Sequence, residues 1–333
     1  MKNILLVGGA GYIGGTLTNQ LVDAGYNVVV YDNLLYEERF LKKVAFHYGD
    51  IRDTQELLKI EKKYDTVIWL AAIVGDGACS QDPELTMEIN FNSLKRFLDA
   101  SKRRILFPST CSVYGMQDGL LTENSPVRPL SAYAETKHMA EEVVIKYGGL
   151  VFRLGTLFGF SSRMRFDLVI NRFIAQAIQD GEITVYGGLQ CRPFVHVQDV
   201  SDIFVKALGC NVKGTYILGG TNYKIQEAAD VIKQETGCKV TTFEGLKDPR
   251  DYAVDSSCAE KVFGFKNVKR VEFAVDEIKK AYAKRIIKDY HESIFNNEEW
   301  LKQHGSRSAY HGLNRETGHC TCESLSQQTC PQS

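Results

Sequence analysis

The interpretation of this 333-residue chain begins with the stretch Gly8-Gly9-Ala10-Gly11-Tyr12-Ile13-Gly14. Residues 2–7, before it, form a short apolar run of the kind found in buried strands. Residues 16–22, after it, place their apolar side chains on one face of a helix. A second apolar run, 27–31, ends at Asp32. The order of strand, glycine-rich turn, helix, strand and acid predicts a βαβ unit.

The glycines of this turn have separate physical roles in a dinucleotide site. Gly8 permits the tight turn, Gly11 lets a pyrophosphate approach the backbone, and Gly14 lets the helix pack closely on the sheet. Tyr12 and Ile13 stand at the start of the helix, where free N–H groups and the positive end of the helix dipole attract phosphate. The turn therefore predicts a bound dinucleotide.

Asp32 favours NAD over NADP as that dinucleotide. A carboxylate at this position accepts hydrogen bonds from the hydroxyls of the adenosine ribose, and it would repel a 2′-phosphate. The alternative is that Asp32 only begins an Asx turn with Asn33.

The composition excludes several classes of partner. The chain is 44% apolar and 24% charged, and its formal net charge of -1 gives no indication of nucleic acid or an anionic membrane as partner. No apolar run approaches the ~20 residues needed to span a bilayer. The nine scattered cysteines suit a reducing compartment, so we expect a cytoplasmic protein.

Strand and helix patterns alternate through the first half of the chain. Strands are predicted over 66–72, 104–108 and 150–154, and helices over 84–101 and 131–147. This alternation predicts an α/β fold with a doubly wound parallel sheet of the Rossmann type.

The pattern changes beyond about residue 160. We expect an NAD-binding domain over 1–160 and a smaller substrate-binding lobe mainly within 161–290, with the chain crossing back to the first domain. Residues 304–333 are polar and predict a disordered tail. Its candidate ligands match no standard zinc spacing, so no metal site is predicted; they are His319, Cys320, Cys322 and Cys330.

Tyr133 and Lys137 are candidate catalytic residues, because residues four apart share one face of a helix. An isolated phenol titrates near ~10, and a nearby ammonium would favour the phenolate. Tyr133 would then take a proton from a substrate hydroxyl while hydride leaves the same carbon. A hydroxyl partner is expected within 109–115, at the carboxyl end of a strand. The alternative is that Tyr133 and Lys137 are two exposed residues on one helix and have no catalytic role.

With these residues, the chain resembles the extended short-chain dehydrogenase/reductases of the nucleotide-sugar epimerase/dehydratase group, from about residue 3 to about residue 285. The segments that carry the resemblance are Gly8–Gly14, Asp32-Asn33-Leu34, Gly49-Asp50-Ile51, Leu70-Ala71-Ala72, Asn90, Ser109–Gly115, Tyr133 with Lys137, residues 192–199 and Arg250-Asp251-Tyr252.

The resemblance implies roles for individual residues. Further cofactor contacts are implied for Asn33, Asp50, Ile51, Leu70, Ala71, Ala72, Asn90 and Lys137. Thr110 would bond the sugar O4 beside Tyr133. Arg192 and Arg250 would neutralise the diphosphate of a sugar nucleotide, a task that suits a guanidinium fork; the alternative for each is a surface salt bridge.

Residues 162–171 form a distinctive segment, and they add substrate-binding candidates. These candidates are Arg163, Arg165 and Asn171, together with Thr156, which stands where an Asn is usual in the group. His196 is more typical of a hydrogen-bonded core histidine than of a catalyst.

The chain departs from the 4,6-dehydratases, which carry an Asp-Glu pair after the catalytic Thr. Cys111 and Ser112 occupy those places, and neither can serve as the acid/base pair. We therefore expect a nucleotide-sugar epimerase acting at C4 through a 4-keto intermediate. Two alternatives stay open: a C4 dehydrogenase or 4-ketoreductase with net redox change, and a non-catalytic NAD-binding redox sensor.

The resemblance also implies a homodimer that forms through the helices at 84–101 and 131–147. The apolar residues in question fit a dimer interface and packing on the chain's own sheet equally well; they are Leu94, Phe97, Leu98, Met139, Val143 and Val144.

Overall fold

The computed structural model describes residues 2–36, 40, 42–245 and 251–305. The strands are β1 (Asn3–Val7), β2 (Asn27–Asp32), β3 (Ala45–Tyr48), β4 (Thr66–Trp69), β5 (Arg104–Thr110), β6 (Leu120–Leu121), β7 (Leu150–Leu154), β8 (Thr156–Phe158), β9 (Glu182–Tyr186), β10 (Cys191–His196), β11 (Gly214–Leu218), β12 (Thr221–Lys224), β13 (Lys239–Phe243) and β14 (Ala253–Val254). The helices are α1 (Tyr12–Asp23), α2 (Thr54–Glu61), α3 (Asp76–Gln81), α4 (Pro83–Met87), α5 (Ser93–Ala100), α6 (Ala132–Lys146), α7 (Val169–Gln179), α8 (Val197–Leu208), α9 (Ile225–Thr236), α10 (Ser257–Phe263), α11 (Val271–Ala283) and α12 (Asn297–His304).

Seven parallel strands form the main sheet, in the order β3-β2-β1-β4-β5-β7-β11. Strands β1 and β4 are neighbours although β2 and β3 lie between them in sequence, so the direction of winding changes there. Ligands of open α/β sheets bind at the carboxyl ends of the strands at such a switch point. The expected doubly wound Rossmann fold is confirmed.

Helices cover both faces of this sheet. Because successive side chains of a strand point to opposite faces, Leu5 packs into one core and Ile4 and Leu6 into another. The first core includes Trp69 and Phe97, whose ring centroids are 5.2 Å apart. Burial on both faces explains why the strands read as continuous apolar runs rather than as alternating patterns.

The helix predicted over 84–101 is interrupted by a π-helical turn, Glu88–Asn92, between α4 and α5. Its apolar residues Leu94, Phe97 and Leu98 are fully buried in the chain's own core, as is Val144 of α6. For these four residues, packing on the sheet is therefore the correct alternative. Met139 and Val143 are half-buried, and a homodimer stays a prediction.

The later part of the chain has a separate apolar core, in which α7, α9 and α11 pack around side chains such as Ile174, Ile232 and Val275. Strand β11 pairs with β7 in the main sheet. The domain boundary at residue 160 stays a prediction.

The C-terminal part differs from expectation at its start. His304 closes helix α12 rather than beginning a tail, and Asn296 caps that helix by accepting the N–H groups of Glu298 and Glu299. Residues 306–333, with the four candidate metal ligands, lie outside the described residues.

In the part of the chain that is described, no helix has both the length and the apolar character of a membrane span. The same residues contain no group of three or more His, Cys, Asp or Glu side chains placed to hold a metal ion.

Candidate active site

The glycine-rich turn lies at the carboxyl end of β1 and lines a cleft. Gly8 has φ +80°, and a Cβ on it would lie 2.3 Å from the backbone nitrogen of Ala71. A Cβ on Gly14 would lie 2.2 Å from the carbonyl oxygen of Gly9. A Cβ on Gly11 would meet no protein atom closer than 3.5 Å, so its absence leaves room in the cleft itself. The turn thus fits a pyrophosphate held against the backbone.

Asp32, which lines the cleft at the end of β2, makes two local contacts. Its Oδ2 accepts the N–H of Ala10 at 2.9 Å, and its Oδ1 accepts the N–H of Leu34 at 2.8 Å. The second contact forms the Asx turn that was the alternative interpretation of Asp32. Each oxygen keeps a second lone pair, so the turn and a ribose contact are compatible. Burial raises the pKa of Asp32, and the charge of Arg163 opposes this rise.

At the expected adenine end, Ile51 and Asn33 line the cleft whereas Asp50 does not. The Asp50 carboxylate accepts hydrogen bonds from Nε and Nη2 of Arg52, at 2.8 and 2.7 Å, and from Nδ2 of Asn33 at 3.2 Å. Asp50 therefore holds the loop that presents its neighbour Ile51.

The wall after β4 is formed by Leu70, Ala71 and Ala72, which all line the cleft. Asn90 lies behind this wall in the π-helical turn. Its Oδ1 accepts the N–H of Ile73 at 2.8 Å and its Nδ2 donates to the carbonyl of Ile73 at 2.9 Å. Asn90 does not line the cleft itself; it supports the wall through this backbone pairing, and a direct cofactor contact stays a prediction.

Thr110, Tyr133 and Lys137 line the same cleft. Thr110 ends β5, and helix α6 begins after Ser131, whose Oγ accepts the N–H of Ala134. The Nζ of Lys137 lies 3.8 Å from the centroid of the Phe107 ring. The spacing of four residues therefore brings the phenol and the amine to one site, and the strand end adds the hydroxyl.

Burial dominates the electrostatics of this group. It raises the pKa of the Tyr133 phenol, and the charge of Arg165 and a hydrogen bond with Thr110 oppose the rise. It lowers the pKa of Lys137 to about 7. The cation whose charge opposes the rise for Tyr133 is Arg165, which sequence reasoning had placed only among substrate ligands.

The two places held by an acid pair in 4,6-dehydratases carry no carboxylate here. The Sγ of Cys111 is buried 3.4 Å from the carbonyl oxygen of Arg153, and only Ser112 of the two lines the cleft. Among the described residues, the carboxylates that line the cleft are Asp32 and Asp76. Asp76, at the start of α3, accepts a hydrogen bond from Ser131 at 2.6 Å, and no sequence signal marked it.

Four of the predicted substrate residues line the cleft: Thr110, Thr156, Arg163 and Arg165. Arg165 is held by Asp167, to which its Nε and Nη2 donate at 3.0 and 2.6 Å. This pairing holds the guanidinium at the cleft. Burial acts to raise the pKa of Asp167, but the charge and the hydrogen bonds of Arg165 help to outweigh burial, so that the pKa of Asp167 is lowered.

The other predicted substrate residues lie elsewhere. Asn171 is fully buried, where it accepts the N–H of Gly159 at 2.9 Å and donates to the Tyr12 hydroxyl at 3.1 Å, so its side chain holds the fold together. Arg192 is buried on β10 with its guanidinium 5.8 Å from the Tyr252 ring, and it does not line the cleft. Arg250 lies outside the described residues.

His196 is fully buried, as expected of a core histidine. Its Nε2 lies 2.9 Å from a carboxylate oxygen of Glu277, and its Nδ1 accepts the N–H of Gln198.

Tyr36 and Asn297 are among the further cleft-lining residues that sequence reasoning missed. Asn297 opens helix α12, beyond the region that carried the resemblance. Its Nδ2 donates to the carbonyl of Val74 at 3.1 Å. No local pattern marks it, because its partner is more than 200 residues away in the chain.

Comparison with known proteins agrees with this geometry. Residues 4–219 match the model of the "NAD dependent epimerase/dehydratase family". A UDP-glucose 4-epimerase of Lactobacillus helveticus is 29% identical over 303 residues, which cover 79% of this chain and 91% of the relative. A UDP-N-acetyl-alpha-D-glucosaminuronate decarboxylase of Bacillus cytotoxicus is 31% identical over 260 residues, covering 71% of this chain and 80% of the relative.

Among solved structures, a UDP-glucuronic acid 4-epimerase from Bacillus cereus, in complex with UDP-glucuronic acid and NAD, superimposes with a TM-score of 0.74. It is 25% identical, and the match covers 86% of this chain and all of the other. The matching family is NAD dependent and these relatives are enzymes, so the alternative of a non-catalytic sensor is set aside. The chain belongs to the NAD-dependent epimerase/dehydratase family.

Proposed function

We propose that this enzyme is a nucleotide-sugar 4-epimerase. One observation carries the proposal: Thr110, Tyr133 and Lys137 line the cleft that begins at the glycine-rich turn, whereas the acid pair needed for dehydration is replaced by Cys111 and Ser112. Such a site has the groups for removing a proton from a hydroxyl, and lacks those for expelling water from a neighbouring carbon.

Each side chain has a distinct task in this mechanism. The Tyr133 oxygen takes the proton from the sugar O4, and the Thr110 hydroxyl orients that oxygen. NAD, when bound, would supply the hydride acceptor for C4 and then the hydride donor to the opposite face of the 4-keto carbon. The charge of Arg165 favours the phenolate, and the protonated form of Lys137 would add to this effect. Once the 4-keto sugar has turned over, Tyr133 returns its proton to O4.

The proposed substrate is a UDP-sugar, since the relatives named above act on UDP-linked sugars. Arg165 lines the same cleft as Tyr133 and acts on its charge, so we assign it to the sugar. Arg192 and Arg250 remain proposed ligands of the diphosphate. For Arg192 this role requires a rearrangement at Tyr252, because the Arg192 side chain does not line the cleft.

The test is incubation with UDP-glucose, UDP-glucuronic acid and their N-acetylated and dTDP- or GDP-linked counterparts, each deuterated at C4. Chromatography and NMR identify the products. A 4-epimerase yields the C4 epimer, keeps the deuterium and shows no net absorbance change at 340 nm. Net NADH formation would instead support the C4 oxidoreductase, and loss of CO2 from the uronic acids would support a decarboxylase.

Tyr133→Phe tests the assigned base. It should lower turnover by at least ~10²-fold, the lower range for a general base, while NAD still binds. Tyr147→Phe is the matched control, because Tyr147 is exposed at the end of the same helix. Near-normal turnover of Tyr133→Phe would refute the mechanism.

A further inference from the structure

Arg163 lies between the two parts of the chain that define the dinucleotide site. The segment before it is fastened to the first turn of α1, since Ser161 Oγ donates to the carbonyl of Tyr12 at 2.7 Å and Ser162 Oγ donates to that of Gly15 at 3.3 Å. That turn is where the helix dipole attracts phosphate.

On its other side, Arg163 faces the loop that follows β2. Its guanidinium carbon is 4.8 Å from the centroid of the Tyr36 ring. Its charge also opposes the rise in the pKa of Asp32. The Arg163 side chain is 4% exposed and lines the cleft. It therefore lies near both the phosphate end and the ribose end of the cofactor path.

Helix α12 forms hydrogen bonds with Arg163 and with the loops that follow two separate strands, β2 and β4. Asn297 Oδ1 accepts Nη2 of Arg163 at 2.7 Å, and its Nδ2 donates to the carbonyl of Val74, after β4. Trp300 Nε1 donates to the carbonyl of Leu35, after β2, at 2.8 Å. Because β1 lies between β2 and β4, the helix bridges the carboxyl ends of the strands that hold the glycine turn and the ribose acid.

We propose that Arg163 binds the pyrophosphate of NAD, rather than the substrate, and that α12 is a clasp that slows release of the cofactor. A guanidinium donates charge-assisted hydrogen bonds to phosphate oxygens. Asn297 keeps it in the cleft, and the clasp must detach from Leu35 or Val74 before the dinucleotide leaves. The proposal rests on NAD binding alone and stands whether or not the enzyme is an epimerase.

The first test is calorimetric titration of the cofactor-free protein with adenosine, ADP and NAD. Arg163→Gln should weaken ADP and NAD by at least ~10-fold, the lower range for a hydrogen bond to a charged group, and leave adenosine unchanged. Arg163→Lys should recover part of the loss. An unchanged affinity for NAD, or an equal loss for adenosine, would overturn the phosphate contact.

The second test measures the rate of NAD release by stopped-flow chase. Trp300→Phe keeps an aromatic side chain but removes the hydrogen bond to Leu35, and Asn297→Ala removes the link to Arg163. Both should release NAD several-fold faster. Lys302→Gln, on the exposed face of α12, is the control and should leave release unchanged. Unchanged release in Asn297→Ala, or equal acceleration in the control, would show that α12 is not a clasp.

Discussion

Replacing Lys137 by methionine should stabilise the cofactor-free protein even though it removes a catalytic group. The Nζ of Lys137 is fully buried over the Phe107 ring, and burial lowers its pKa to about 7 from an ordinary value of 10.5. Methionine fills a similar volume, carries no charge and is compatible with a helix interior.

The magnitude follows from the difference in pKa between the folded and the unfolded chain. At pH 7 the unfolded chain keeps Lys137 protonated, whereas the folded chain is half-protonated, so the buried amine costs on the order of 4 kcal/mol. Between pH 7 and pH 10.5 the unfolded chain binds more protons, so this cost shrinks as the pH rises, to about 2 kcal/mol at pH 9. Lost contact with the Phe107 ring offsets about 1 kcal/mol of the gain.

Urea unfolding at pH 7 and pH 9 measures the effect. Lys137→Met should raise the free energy of unfolding by about 3 kcal/mol at pH 7 and by clearly less at pH 9. Lys146→Met, exposed on the same helix, is the control. A variant that is less stable than the wild type at pH 7, or a gain that does not shrink by pH 9, would refute the reasoning.

Three further substitutions probe the site and its support. Asp32→Asn should weaken NAD by about 1–3 kcal/mol in calorimetry, because the ribose loses a charged acceptor; an unchanged dissociation constant would show that the carboxylate does not reach the ribose. Gly8→Ala should lower the melting temperature and abolish NAD binding, since its Cβ would clash with backbone at 2.3 Å and its φ is +80°; wild-type values for both would contradict the turn geometry. Glu141→Gln should cost about 3–5 kcal/mol in urea unfolding, because it leaves the buried guanidinium of Arg153, 2.7 Å away, without its carboxylate; a loss below about 1 kcal/mol would show that Arg153 finds another acceptor.

The parts of the site that could be predicted from sequence are those in which local geometry carries the chemistry. The turn at Gly8–Gly14 needs glycine for steric reasons that act within a few residues. The pair Tyr133 and Lys137 meets because the helix repeat places residues four apart on one face. Thr110 enters the cleft because carboxyl ends of parallel strands share one edge of the sheet. None of these steps needs knowledge of distant contacts.

The rest depends on contacts between residues far apart in the chain. Asn171 looked like a substrate ligand beside two arginines, but packing of α7 turns its amide toward Tyr12 and Gly159 instead. Arg192 lies on a strand whose register places it away from the cleft. Asn297 contributes only because α12 returns across the sheet to Val74. The spacing of the apolar residues in α5 likewise could not show whether they pack on a second copy of the chain or in the chain's own core.

The pairing of β11 with the main sheet limits where the chain can be truncated to give a stable fragment. Strand β11 pairs with β7 along its whole length, from Gly214 opposite Leu150 to Leu218 opposite Leu154. A fragment that ends near residue 160 would contain every residue of the glycine turn and of the Tyr133 group, yet it would expose β7 as an unpaired apolar edge. Such edges template association with other chains. An NAD-binding fragment that keeps β7 paired must therefore extend through residue 218, which brings α7 and α8 with it but leaves out α9 and α11 of the second core.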